Sequence, residues 1–417
     1  MHNKFFSFLS RSPTAWHAAK EIEHSLNEAG FSPLSERDPW HLEAGKGYFV
    51  EREAALVCAF RVPKKKPTSA ILLASHTDSP ALKIKPRPDV ATQGISQLLT
   101  EVYGGPLLHA WLDRDLAIAG RIETNAGSKL VYLDECPVII PQLAIHLDRT
   151  IHEKGILVHK QDHLKAVLSI HGTHTLESVL KKHVSFKTLY THDLFLVPIE
   201  KAGLTGLGQE LIAGYRLDNL SSAFACLEAL AHAKARSDTL QMALFWDHEE
   251  IGSTTSTGAS SLFVTQMLER IGIALKQTPE DVHRLKSGSI TLSVDVTHGW
   301  NPNFPEKYDA NNSSLLGKGA VIKFNAGRKY ASDAASAASI CKIAEKHKIA
   351  LQHAANRSDI PGGSTVGPIM SANTGIPTVD LGVSCWAMHS TREIISASDL
   401  KSLTDLCKAT LKDWEAK

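Results

Sequence analysis

Four short apolar runs along this chain share one grammar. "SAILLASHTDS" (69–79), "TLQMALFWDHEEIGS" (239–253), "SITLSVDVTHG" (289–299) and "IPTVDLGVSCWAMHS" (376–390) each end in, or shortly before, acids and histidine. Runs of this length, apolar at successive positions, read as strands buried on both faces. The stretches between them change period. "LDNLSSAFACLEALAHAKA" (217–235) and "DAASAASICKIAEKHKI" (333–349) carry helical patterns. Residues 12–30 are also predicted to form a helix: Ser12 can cap it, Pro13 suits its first position, Trp16, Ala19, Ile22 and Leu26 recur at helical spacing, and Gly30 can end it. Strands alternating with helices predict an α/β sheet covered on both faces. Such sheets hold ligands beyond the carboxyl ends of their strands, where these acids and histidines fall.

Residues 90–212 have a different rhythm. "HAWLDRDLAIAGRIE", "SKLVYLDECPVII", "GILVHKQDH" and "DLFLVPIE" read as short strands separated by Gly, Pro and Asp turns. The segment is therefore expected to be a β-rich insertion, leaving a discontinuous main domain of residues 1–89 and 213–417.

Composition narrows the function classes. The 417 residues carry 45 basic and 44 acidic side chains, a formal net charge of +1, with 43% hydrophobic and 21% charged residues. A balance this even demands neither nucleic acid nor an anionic membrane as partner. The apolar patch Phe5, Phe6, Phe8 and Leu9 is too short for a signal-peptide core and no small-residue cleavage site comes after it. No stretch approaches the roughly 20 apolar residues of a membrane helix. The six cysteines, Cys58, Cys136, Cys226, Cys341, Cys385 and Cys407, form no C-x-x-C pair, which suits reduced thiols and a cytoplasmic location.

The polar ends of the apolar runs supply a metal chemistry. His76, Asp218, Glu250, Asp295 and His389 are the candidate ligands, a nitrogen and carboxylate set suited to a hydrolytic zinc or a similar divalent ion. Two dications roughly 3.5–4 Å apart need a shared carboxylate between them. Asp218, read as a helix start, is the candidate bridge. The set then divides into His76 with Asp295 on one metal and Glu250 with His389 on the other. Glu249, beside a ligand yet free of metal, is the candidate general base, and Asp78 can orient the His76 imidazole through its other nitrogen. Neighbouring side chains on a strand diverge, so Glu249 and Glu250 can serve one centre only if the strand has ended at Asp247 and residues 248–252 form a loop, with Gly252 giving room to turn.

Singly, each residue has a plainer reading: an Asx-turn for "HTD", a helix cap for Asp218, solvated loop acids for Glu249 and Glu250, a strand-end turn for Asp295 and a surface helix start for His389. The four clusters together, each beside a strand end or helix start, favour a site.

"SHTDSPALKIKP", "WLDRDLAIAGRI", "PQLAIHLDR", "YRLDNLSSAF", "DHEEIGS", "GKGAVIKFNAGRKYAS", "GSTVGPI" and "LGVSCWAMHSTRE" run in unbroken order from about residue 5 to residue 410. Together they resemble the M18 metallopeptidases, the aspartyl aminopeptidases. The resemblance implies a three-layer α/β/α metallopeptidase domain with an inserted β-rich dimerisation domain, and tetrahedral dodecamers. It implies a two-zinc aminopeptidase that removes N-terminal Asp or Glu from peptides through a bridging water, with manganese or cobalt as further candidate metals. It puts the ligands on His76, Asp218, Glu250, Asp295 and His389, the base on Glu249 and the orienting aspartate on Asp78.

The resemblance also suggests substrate-binding residues. Lys323, with Tyr330, would meet the acidic first side chain, and His146 would reach a neighbouring subunit's active site. Their plainer readings are an exposed strand lysine and a buried strand histidine. The loop "DVTHGWNPNFPEKYDANN" keeps Asp295, His298 and the Asn-Pro pair, while Gly299, Trp300 and the rest of the segment depart from the commoner family form, which concerns the substrate pocket and not the metals. The alternatives are a broad-specificity two-zinc aminopeptidase like the M42 group, a non-catalytic peptide-binding shell, and a deacylase or carboxypeptidase.

Overall fold

The computed structural model describes residues 1–416. Its largest sheet has nine strands, four of which run parallel side by side at its middle: Thr239–Trp246, Ser69–His76, Ile290–Val294 and Thr378–Gly382. They are the four apolar runs of the sequence. An antiparallel strand, Leu56–Arg61, joins one side of this centre and another, Ala320–Phe324, joins the other.

The two central strands show why their runs lack alternation. Ile71 and Leu73 enter one hydrophobic core with Ala243 and Phe245. Ala70, Leu72 and Ala74 enter a second with Leu240, Met242, Leu244 and Trp246. Both faces of the sheet are thus buried. The first core is closed by the helices His2–Arg11, Ala15–Glu28, Leu217–Ala231, Ala334–His347 and Ala397–Asp413, the second by Phe263–Ala274, Pro279–Ser287 and Val366–Thr374. Each large apolar side chain buried there contributes about 1.5–3 kcal/mol. The result is a three-layer α/β/α arrangement.

The helix expected over residues 12–30 is present as Ala15–Glu28, and a further helix, His2–Arg11, precedes it. Helix Ala15–Glu28 starts after Thr14, while Ser12 lies at the end of the preceding helix His2–Arg11. Phe5, Phe8 and Leu9 have the i, i+3, i+4 spacing of a helix face, and the Phe5 and Phe8 rings pack on Phe224 at 5.1 and 5.8 Å.

A second sheet of six antiparallel strands is built from residues 81–198: Gly127–Val138, Leu116–Thr124, Leu189–Pro198, Ala81–Thr92, Ile95–Tyr103 and Ala166–Ser169, in that order. It has its own core, including Leu82, Ile84, Leu98, Trp111, Leu116 and Leu196. The expected limits of 90 and 212 differ at both ends. Leu82 and Ile84 face inward while Arg87 and Asp89 are exposed, the alternation of a half-buried strand, so the sheet begins soon after His76. Residues Gly203–Thr205 and Leu211–Gly214 instead belong to a third sheet with Glu393–Ser396, Ser384–Trp386 and Thr297–His298. "GILVHKQDH" is irregular and not a strand.

Candidate metal centre

The site lies where the parallel strands end. His76 is the last residue of Ser69–His76 and pairs in register with Trp246, the last residue of Thr239–Trp246. Ser293 pairs with Ala74, so Asp295, two residues on, comes level with His76. Parallel register thereby brings three loops to one edge.

The strand carrying the acidic pair does end early. Trp246 is its final residue, His248 turns the chain with φ 61°, Glu249–Ile251 form a single 3-10 turn, and Gly252 leaves it with φ 98°. A left-handed histidine costs roughly 1 kcal/mol or more. The turn is held by Asp78, whose Oδ1 and Oδ2 accept the backbone N–H groups of Glu249 and Glu250, both at 3.1 Å. The two glutamates therefore reach one centre from successive positions of a turn.

Asp218 occupies the middle. Its Oδ1 lies 3.4 Å from His76 Nε2 and its Oδ2 lies 3.3 Å from His389 Nε2. Asp295 Oδ1 is 3.6 Å from His76 Nε2, and Glu250 Oε2 is 3.4 Å from His389 Nε2. His76, Asp218 and Glu250 also offer ligand atoms within 4.8 Å of one another. Glu249 Oε2 stands 3.9 Å from His76 Nε2. His76 Nδ1 faces Asp78, 3.3 Å from its Oδ1 and 3.1 Å from its carbonyl oxygen, while His389 Nδ1 faces the Gly105 carbonyl at 3.0 Å. Each imidazole thus turns Nε2 to the centre and Nδ1 to an anchor, the arrangement common to metal-ligating histidines.

The local chain at Asp218 differs from a simple helix start. Asp218 has φ −81° and ψ 107°, outside helical values, at the entry to Leu217–Ala231. Its position is fixed by partners: its N–H donates to Glu393 Oε2 at 2.9 Å and its carbonyl accepts from Ser79 Oγ at 2.8 Å.

Electrostatics expose the chemistry this cluster wants. Burial alone would lower the His76 pKa, but Asp218, Asp295 and Asp78 overrule it and raise it well above the ordinary range. Burial pushes Glu249 up to about 8, with Asp295, Asp78 and Asp218 adding to the effect against His76. Burial and Asp218 likewise raise Glu250. Asp78 goes the other way: the His76 hydrogen bond and charge, with Tyr103, outweigh its burial and hold it below the usual carboxylate range. Buried Asp218 Oδ1 and Glu250 Oε1 have no hydrogen-bond partner among the described residues. Carboxylates crowded together, short of protons to share and with orphaned oxygens, fit one or more divalent cations.

The remaining site residues fall into place unequally. Lys323, His298 and Tyr330 line the same cavity of about 490 Å³ as the five candidate ligands and Glu249. Lys323 is buried, not an exposed strand residue; its Nζ donates to the Val296 carbonyl at 3.2 Å, lies 3.8 Å from Asp295 Oδ2 and sits 5.1 Å above the Tyr330 ring. Burial would lower its pKa, yet Asp295, Tyr330 and Asp380 raise it, so the ammonium stays charged. His146 is exposed on an irregular segment and is neither buried in a strand nor part of the cavity lining.

Three supporting residues carry no sequence signal strong enough to single them out. Tyr103 donates its hydroxyl to Asp78 Oδ2 at 2.8 Å. Asp380 accepts the Ala331 N–H and the Thr365 hydroxyl, both at 2.5 Å, and so ties together two loops of the cavity wall. Glu393, the last residue of "HSTRE", accepts N–H groups from Asp218 and His389.

Residues 8–410 match the family model for aminopeptidase I zinc metalloprotease (M18). A probable M18 family aminopeptidase 2 of Pseudomonas savastanoi pv. phaseolicola (strain 1448A / Race 6) is 36% identical over 424 residues, covering 98% of this chain and 97% of that protein. An M18 aminopeptidase from Thermotoga maritima superposes with a TM-score of 0.89 at 25% identity, covering 99% and 95% of the two chains. The mApe1 dodecamer of S. cerevisiae gives a TM-score of 0.87 at 26% identity, covering 99% and 96%.

Proposed function

Since this chain belongs to the M18 family of zinc aminopeptidases, we propose that it holds two zinc ions and removes the N-terminal residue of peptides, preferring Asp or Glu. The observation that carries the two-metal reading is Asp218, whose two oxygens face two different imidazoles at 3.4 and 3.3 Å. On this reading His76 and Asp295 hold one ion, Glu250 and His389 hold the other, and Asp218 is common to both. Bound there, the ions would supply the Lewis acidity that activates water and polarises the peptide carbonyl. Manganese or cobalt suits the same nitrogen and carboxylate donors.

The protein's own groups do the rest. Glu249 takes the proton from the attacking water and delivers it to the leaving amine. Its carboxyl is lifted to about 8 by burial and neighbouring acids; positive charge bound beside it would favour the carboxylate form needed of a base. Asp78 keeps the His76 ring and the Glu249 turn in register through its hydrogen bonds. Lys323, charged in a largely dry pocket beside Tyr330, favours a carboxylate in the first side chain and disfavours an apolar or cationic one. His298 lines the same wall.

One observation favours a broader specificity. Lys323 already donates to the Val296 carbonyl and stands 3.8 Å from Asp295, so part of its bonding capacity is spent within the protein. The deciding experiment is chelator stripping, add-back of zinc, manganese or cobalt, and a panel of aminoacyl substrates. Faster turnover of Asp- and Glu- than of Leu- and Lys-substrates supports the acidic reading; equal rates sink it in favour of the broader enzyme. Cleavage of substrates with a blocked amino terminus would instead favour a deacylase or carboxypeptidase.

The likeness to the mApe1 dodecamer supports a homo-oligomer, proposed here as a tetrahedral dodecamer. Leu143, Leu147 and Leu157 are 62–77% exposed around His146, which suits a segment covered by another copy of the chain. In that assembly His146 would reach the neighbouring site. Particle size in solution tests the assembly, and a monomer of full activity would reject the role of His146.

A further inference from the structure

Glu393 is 1% exposed and opens the strand Glu393–Ser396. That strand is the middle one of the five in the third sheet. Leu211–Gly214 pairs with it on one side and leads on to Asp218; Ser384–Trp386 pairs with it on the other and leads on to His389. The two chain segments leave this small sheet and are caught again by a single carboxylate. Glu393 Oε2 accepts the Asp218 N–H at 2.9 Å and Oε1 accepts the His389 N–H at 2.6 Å.

Both recipients need holding. His389 sits in the left-handed region at φ 68°, and Asp218 departs from helical values two residues after Arg216, also left-handed at φ 68°. Burial and Asp218 push the Glu393 carboxyl up to about 8, against the two N–H bonds that lower it; the bonds fix it directionally, since both of its oxygens accept an N–H. Since each oxygen takes one N–H, the width of one carboxylate sets how far apart the two backbones stand. The His389 ring is fixed separately, by the Gly105 carbonyl.

We propose that Glu393 is a positioning residue that sets the separation of Asp218 and His389, and thereby the affinity of the metal position formed by Asp218, Glu250 and His389. The inference rests on the two-metal reading above. It is asymmetric by construction, because the opposite position has its own anchor: Asp78 binds the His76 imidazole and, among the described residues, bonds to neither backbone that Glu393 holds. Since Asp218 is common to both positions and His389 belongs to one, loss of Glu393 should loosen the ion on the His389 side more than the ion anchored through His76.

Glu393→Gln is the direct variant. It preserves shape but turns one acceptor into an amide donor, so either Asp218 or His389 presents its N–H to another donor. Glu393→Asp keeps the charge and lacks the reach to span both N–H groups. The full-length protein, stripped with chelator, is titrated with zinc by calorimetry, and the metal retained after dialysis is counted. The expected result is the His389-side ion weakened about 10- to 100-fold, the usual size for a partner that orients a ligand, and the other ion weakened clearly less through the shared Asp218. His389→Ala, which removes a ligand of the same position, should lose that same ion.

Equal weakening of both ions in Glu393→Gln would overturn the proposal. So would unchanged zinc affinities with a lowered thermal midpoint of the metal-free protein, the pattern of a purely structural residue. Where Glu393→Gln does not fold, Glu393→Asp is read by the same titration. The stoichiometry of the wild type tests the two-metal reading by itself: a single bound ion would sink that reading, while the wild-type to variant difference measures Glu393.

Discussion

Tyr103 donates its hydroxyl to Asp78, 2.8 Å from Oδ2. Tyr103 closes the strand Ile95–Tyr103 of the antiparallel sheet, whereas Asp78 stands behind His76 at the edge of the parallel one. The second sheet thus touches the carboxylate that holds the metal-site imidazole and the glutamate turn. A hydrogen bond to a charged group is worth about 1.5–3 kcal/mol, and the Glu249 and Glu250 N–H groups remain on Asp78 when it is lost. Tyr103→Phe is accordingly expected to lower kcat by roughly tenfold or less and leave KM nearly unchanged. Steady-state kinetics on one good substrate checks this, and a KM effect without a kcat effect would place Tyr103 in substrate binding.

Glu249→Gln removes the proton acceptor while keeping the volume and the backbone N–H bound by Asp78. Turnover should fall by about 10²- to 10⁴-fold, the usual contribution of a general base. Zinc content and particle size should match wild type, since Glu249 is no ligand in this arrangement. Activity within a fewfold of wild type would assign the proton transfer to another group.

Lys323→Met keeps the length of a buried side chain and deletes its charge. The kcat/KM ratio of Asp- over Leu-terminated substrates should drop by about 10- to 100-fold, on the scale of one charged hydrogen bond. Measuring both substrates on the same preparation separates this from a general loss of activity, which is also expected because Asp295 loses the ammonium 3.8 Å away.

His17, which is not among the candidate ligands, gives a further pH dependence. Burial, with Arg216 adding to it, depresses its pKa from 6.5 to about 4. The unfolded chain takes up this proton at higher pH than the folded one, so stability falls as pH drops from about 6.5 towards about 4. Its Nδ1 also lies 2.8 Å from Thr14 Oγ1. His17→Gln, with no titrating group there, should lose less thermal midpoint than wild type between about pH 7 and about pH 5. Equal losses would show that carboxylate protonation alone governs this range.

What the sequence disclosed was whatever periodicity or motif density could carry. The four buried strands were legible because both their faces are apolar, and the glutamate pair even implied the early strand end that His248 and Gly252 execute. The start of the second sheet was misread because Pro86 and Pro88 break the pattern of "ALKIKPRPDV", where the pairing slips between Ile84 and Asp89. Lys323 could be taken for an exposed strand residue since a lysine's burial depends on Asp295 and Asp380, both distant in sequence. Glu393 and Tyr103 act through backbone N–H groups and a single hydroxyl, contacts that leave no spacing for a reader to find.

The order of the five candidate ligands along the chain has a consequence for biosynthesis. His76 emerges first, the whole antiparallel sheet of residues 81–198 intervenes before Asp218, and His389 comes last, just ahead of the closing helix Ala397–Asp413. A growing polypeptide therefore cannot assemble the centre until residue 389 has been made. A hydrolytic site ordered in this way stays latent until then, and a prematurely terminated product lacking residue 389 is left without the full set of candidate ligands.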